Sequence, residues 1–144
     1  MSTSDGIQMS STSASGSDQE TTVGVMVVDD QESFRRAARA VIDATPGFAP
    51  LRDAASGLEA LEFAQDLQPD LVLIDANMPG MDGFETARRL TAAHPKSVVV
   101  LVSIEDQDGL PGTVTSCGAV AFLHKRELRP ATLRALWTLY GPTD

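Results

Sequence analysis

The chain has 144 residues, 42% of them apolar, enough for one domain with its own core. A formal charge of −9 argues against a surface built to grip a nucleic-acid backbone, and a single cysteine, Cys117, rules out an internal disulfide and argues against a thiolate zinc cluster. No stretch approaches an apolar membrane span, and the first basic residue is Arg35, so the N-terminus has neither a secretory n-region nor a transit-peptide composition.

Residues 1–22 are rich in Ser and Thr and nearly devoid of apolar groups. Such a segment cannot bury enough surface to offset its ordering entropy, so a disordered tail is expected ahead of a domain over 23–141, with 142–144 as its end. Val23 to Val28 is an apolar run of the kind that forms a strand covered on both faces, and it stops at Asp29-Asp30. From Glu32 to Asp43, Phe34, Ala38, Val41 and Ile42 fall at helical spacing, with Arg35, Arg36 and Arg39 expected outward. Pro46-Gly47 ends that helix, and Phe48 to Asp53 is a short, weak strand.

Ser56 with Glu59 has the form of a capping box, followed by Leu58, Leu61, Ala64 and Leu67 as the apolar positions of a second helix that Pro69 stops. Leu71 to Ile74 is a second fully apolar strand and ends abruptly in Asp75. Pro79-Gly80 forces a turn, and Asp82 with Glu85 starts a helix from Gly83 to His94. Val98 to Val102 is a third buried strand, ending in Ser103. Residues 106–116 hold two Gly, one Pro and β-branched residues, so only a short or distorted fourth helix is expected there. Ala119 to Leu123 is the last strand, with Lys125 just beyond it. Pro130 suits a first helical position, and Leu133, Leu136, Trp137 and Tyr140 make the apolar stripe of a fifth helix.

Five βα units in succession imply an α/β fold: a doubly wound parallel sheet with right-handed crossovers. In such sheets, ligands bind at the carboxyl ends of the strands. Three carboxylates, a hydroxyl and an ammonium fall at that edge. Taken singly, each residue has an ordinary reading: Asp29-Asp30 as a helix cap, Asp75 as a turn former, Ser103 as a loop hydroxyl, Lys125 as surface charge. Four such accidents at four strand ends are a poor explanation.

Asp29-Asp30, Asp75 with Asn77-Met78-Pro79-Gly80-Met81-Asp82-Gly83, Ser103 and Lys125 together resemble the receiver domain of bacterial two-component response regulators, over roughly residues 23–140. The resemblance implies a flavodoxin-like strand order, 2-1-3-4-5. It implies Asp75 as phospho-acceptor, with Mg²⁺ (or another divalent cation) held by Asp30, Asp75 and the backbone carbonyl of Asn77, and with Asp29 acting through water. Oxygen-only donors suit such a hard cation. Lys125 would contact the phosphoryl group, and Ser103 would be the switch hydroxyl, coupled to Phe122 on the last strand. Phe122 lacks a hydroxyl, so that coupling would run through ring packing. The implied donor is a histidine kinase or histidine phosphotransfer protein, in the cytoplasm. The implied output is binding of a downstream protein, or homodimerisation, through the face of the fourth helix, fifth strand and fifth helix. Direct nucleic-acid or membrane binding is not expected. The domain would catalyse its own phosphorylation and dephosphorylation and act as a switch, not as a turnover enzyme.

The sequence departs from the family in three places. Arg126, not Pro, follows Lys125; a cis bond before a non-proline residue costs about 3 kcal/mol, so a trans peptide is expected. Ile104 follows Ser103 where a small residue is usual, and is expected to narrow access to Asp75. The segment expected as the fourth helix is poor in helix formers. Ile104 and the weak fourth helix favour, as an alternative, a receiver-like interaction module that works without phosphate, which the intact Asp29, Asp30, Asp75, Ser103 and Lys125 oppose. A phosphohydrolase of the haloacid dehalogenase type would want an acid where Asn77 stands. With the sequence stopping after the fifth helix, either a single-domain regulator or a piece of something larger is expected.

Overall fold

The computed structural model describes residues 22–105 and 116–142. The strands are β1 (Val23–Val28), β2 (Phe48–Pro50), β3 (Leu71–Asp75), β4 (Val98–Ser103) and β5 (Ala121–His124). The helices are α1 (Glu32–Asp43), α2 (Gly57–Leu67), α3 (Gly83–Ala93) and α4 (Pro130–Tyr140), with a 3-10 turn over Lys125–Glu127. All strand pairs are parallel, in the order β2-β1-β3-β4-β5. This is the flavodoxin-like order. The tail to residue 21 and the segment expected as the fourth helix, through 115, lie outside the described residues.

The absence of polar alternation in the central strands is explained by burial on both faces. Met26, Val28, Val72, Ile74, Val99 and Leu101 point to one layer, with Ala60 and Ala64 of α2 and Ala87 and Leu90 of α3. Val25, Val27, Leu71, Leu73, Val100 and Val102 point to the other, with Ala38 and Ile42 of α1 and Leu133 and Leu136 of α4. Each fully buried Val, Leu or Ile contributes about 1.5–3 kcal/mol through removal from water. The edge strand β2 is short and ends in Pro50, which suits a position where one backbone N–H would otherwise lack a ladder partner.

Local signals start two of the helices as expected. Ser56 Oγ accepts from Glu59 N–H at 3.1 Å, and Asp82 Oδ1 accepts from Glu85 N–H at 2.9 Å, each cap worth about 1 kcal/mol. The reciprocal half of the Ser56 box is shifted by one residue: the Glu59 carboxylate accepts from Ala55 N–H at 2.8 Å.

Four expectations need correction. Leu58 is 67% exposed, because the helical period puts Gly57, Ala60 and Ala64 inward and turns Leu58 away. Arg35 does not project outward: its guanidinium donates to Asp29 O at 2.7 Å and to Asp53 Oδ2 at 2.8 Å, with the side chain only 17% exposed. On α4, Leu133 and Leu136 are buried but Tyr140 at the helix end is exposed. The last strand begins at Ala121 and runs on to His124, two residues later than the apolar run begins.

Candidate functional site

Sheet register assembles the site. Val28 pairs with Ile74, so the residues that follow them, Asp29 and Asp75, leave adjacent strands side by side. Asp75 pairs with Val102, one residue before Ser103, and Ser103 pairs with His124, one residue before Lys125. Burial of the apolar runs thus delivers the polar residues to one row along the carboxyl edge.

Asp29 is fully buried. One of its oxygens, Oδ1, accepts from Gln31 N–H at 2.8 Å; the other, Oδ2, has no partner among the described residues except the Lys125 ammonium, 2.7 Å away. Asp30 is exposed. Asp75 is 7% exposed, its Oδ1 accepting from Asn77 N–H at 3.1 Å and its Oδ2 lying 3.7 Å from Lys125 Nζ. One oxygen from each of Asp29, Asp30 and Asp75 falls within 4.8 Å of the other two. Burial raises the Asp75 carboxyl above its ordinary value, and the charges of Asp29 and Asp30 add to this; the Asn77 N–H and Lys125 oppose it.

Ser103 is buried, and its hydroxyl oxygen accepts from Glu105 N–H at 3.0 Å and from Asn77 Nδ2 at 3.3 Å. Phe122 is partly buried against the layer that holds α2 and α3. The Lys125–Arg126 peptide is trans. His124 is a cap: its Nδ1 accepts from Arg126 N–H at 3.1 Å, while Glu127 Oε1 accepts from His124 N–H at 3.2 Å. Ile104 is 71% exposed and lines, with Phe34 and Lys125, an apolar groove of about 370 Å³ beside the cluster.

Three contacts of the site were not legible as such. The Phe34 ring lies 4.4 Å from Lys125 Nζ, although its spacing marked it only as a core residue. Arg35 ties Asp29 to Asp53. The Asn77 side chain reaches Ser103, whereas the family resemblance implies a role only for its backbone carbonyl.

Three carboxylates meet one ammonium, so the cluster holds surplus negative charge. The donors are all oxygen, and a buried carboxylate oxygen faces only Lys125. This set fits a hard divalent cation, whose charge would relieve the repulsion.

The strand order and the polar row along one edge define a flavodoxin-like, chemotaxis-receiver type of domain. Residues 25–137 match the profile of the response regulator receiver domain, and the chain belongs to that family. It is 35% identical over 103 residues to the response regulator GacA of Pseudomonas viridiflava, covering 72% of this chain and 48% of that protein. It is 36% identical over 107 residues to protein-glutamate methylesterase/protein-glutamine glutaminase 2 of Photobacterium profundum, covering 73% of this chain and 27% of that protein. The chain thus spans about half the length, or less, of these curated relatives. Among solved structures, chemotaxis protein CheY4 of Vibrio cholerae superposes with a TM-score of 0.72 at 26% identity, covering 82% of this chain and 98% of that one. The response regulator domain of Thermotoga maritima CheB gives 0.71 at 27% identity, covering 81% and 95%. Receiver domains in general signal by phosphorylation received from histidine kinases, catalyse that transfer themselves, and bind Mg²⁺ through acidic residues. No helix among the described residues is long and apolar enough to cross a membrane.

Proposed function

We propose that this chain is a cytoplasmic phosphorylation-dependent switch, one receiver unit over residues 23–141, that accepts a phosphoryl group on Asp75. The observation that carries the reading is the meeting of Asp29, Asp30 and Asp75 within 4.8 Å beside the Lys125 ammonium.

An Asp75 carboxylate oxygen attacks the phosphorus of a phosphohistidine on the partner kinase or phosphotransfer protein. A new P–O bond forms, the P–N bond breaks, and the imidazole leaves with the bond's electron pair and takes up a proton. Asn77 N–H holds the other oxygen of Asp75 and so orients the attack. Lys125 swings between Asp29 and the phosphoryl oxygens, supplying positive charge where negative charge gathers. Asp30, Asp75 and the Asn77 carbonyl would hold Mg²⁺, with Asp29 acting through water. The bound ion would neutralise the acidic cluster and the phosphoryl oxygens.

Ser103 has its hydroxyl oxygen engaged by Asn77 and Glu105 in the resting state. With a phosphoryl group on Asp75, that hydroxyl turns to donate to it, and Phe122 repacks with the moved loop. The shift in population changes the face offered to a downstream protein or a second copy of the chain. With a net charge of −9, that output goes through protein contacts and not through a nucleic-acid backbone.

The test is intact mass after incubation with acetyl phosphate, with Mg²⁺, with chelator, and for Asp75→Asn. A Mg²⁺-dependent gain of one phosphoryl group, absent in the variant, is expected. A folded, Mg²⁺-binding protein that takes none from acetyl phosphate or from a phosphohistidine donor overturns the reading in favour of a phosphate-independent interaction module.

A further inference from the structure

Lys125 is enclosed by more than its two carboxylates. It begins the 3-10 turn after the edge strand, yet its side chain is only 13% exposed. Taking an ammonium out of water is costly unless every side of it is compensated. Asp29 compensates one side at 2.7 Å and Asp75, at 3.7 Å, a second. On another side stands the Phe34 ring, its centroid 4.4 Å from Nζ, inside the range where an aromatic face attracts a cation.

Phe34 is well mounted for this. It lies in the first turn of α1, the helix that begins directly after Asp29-Asp30, and it packs against the core layer that holds Ala38, Ile42 and Leu133. The ring is therefore fixed to the same strand-helix junction as the carboxylates. Lysine has a flexible four-carbon stem and no planar fork to orient it. Beside it lies a largely apolar groove lined by Phe34, Ala37, Ile104 and Leu128 together with His124 and Arg126.

We propose that Phe34 is a positioning residue: its ring keeps the Lys125 ammonium over Asp29 and Asp75, so that the charge is in place when a phosphoryl group arrives. The proposal rests on the reading of Lys125 as the phosphoryl contact. A purely structural Phe34 would need only apolar volume; a positioning Phe34 needs a π face.

The chain has two lysines, Lys96 and Lys125, so selective lysine labelling gives two ε-methylene signals by NMR, with Lys96 as internal control and Lys125→Arg as the assignment. In the wild type and in Phe34→Tyr, the ring displaces the Lys125 signal from that of Lys96, and phosphoryl gain from acetyl phosphate runs at comparable rates. In Phe34→Leu the displacement disappears and the rate falls about threefold to tenfold, while Mg²⁺ affinity stays within about twofold. Phe34→Met serves if the Leu variant does not fold. An aliphatic variant that keeps either the displaced signal or the wild-type rate overturns the proposal, as does a Tyr variant that behaves like Leu. A wild type that takes no phosphoryl group counts against the proposed function alone, because the lysine signal still decides whether the ring holds Lys125.

Discussion

The two edges of the sheet are built from the same strands and treat polar groups in opposite ways. At the amino edge, polar groups tie neighbouring loops together. Gly24 N–H donates to Asp70 Oδ2 at 2.8 Å, Asp70 N–H returns to Gly24 O at 2.9 Å, and Ser97 Oγ donates to Pro69 O at 2.6 Å. At the carboxyl edge, three carboxylates are crowded around one ammonium, and the buried Asp75 is held above its ordinary pKa. One edge holds the strands together; the other keeps a surplus of negative charge that a divalent cation would relieve.

Asp75→Asn should break the comparison most completely, with phosphoryl gain lost outright in the mass measurement. The same variant tests the imbalance itself. A carboxyl whose folded value is raised above its ordinary 3.8 destabilises the fold once ionised, and that penalty vanishes as pH falls below the unfolded value. In chelator, Asp75→Asn should therefore melt above the wild type at neutral pH, with the gap closing as pH falls through the raised value toward 3.8. Equal melting curves across that range would mean the crowding carries no cost.

Lys125→Gln comes next. It leaves the fully buried Asp29 without its counter-charge, a loss of about 2–3 kcal/mol in chelator, discounted because the ammonium keeps some solvent contact. Saturating Mg²⁺ should restore most of it in denaturant titrations; no restoration would argue that the acidic cluster does not hold the ion. Gly83→Ala follows at about 1–3 kcal/mol, since an added Cβ would overlap the backbone carbonyl of Asp75 and force the start of α3 away. Its phosphorylation rate should fall along with its stability. Ser97→Ala, at the other edge, should cost only about 1 kcal/mol for one lost hydrogen bond and leave phosphorylation at the wild-type rate. A slowed rate there would show the two edges to be coupled.

What could be read from the residues follows from which interactions are local. Uninterrupted runs such as Leu71 to Ile74 announce strands buried on both faces, and the polar residue that ends each run announces the polar row along the carboxyl edge. Caps such as Asp82 with Glu85 depend on residues three apart and were equally legible. The order of the strands was not, because parallel neighbours lie far apart in sequence; it came through family resemblance. Helical periodicity sets Arg35 outward because it records only which face is apolar, and it cannot register that Asp53, eighteen residues on, supplies a partner. Spacing marks Phe34 as core for the same reason: its apolar position is real, and its second neighbour, Lys125, comes from the far end of the chain.

The position of β3 has a further consequence. All five of its residues are buried, and it has a strand on each side. Its amides should exchange with deuterium only when the whole domain opens, whereas those of β5, at the sheet edge and mostly half-buried, should exchange through smaller openings. Asp75 thus ends one of the central segments expected to exchange most slowly, while Lys125 follows one that opens more readily. A charge change on Asp75 would be made at a firmly held point and felt toward an edge of the sheet that opens more readily.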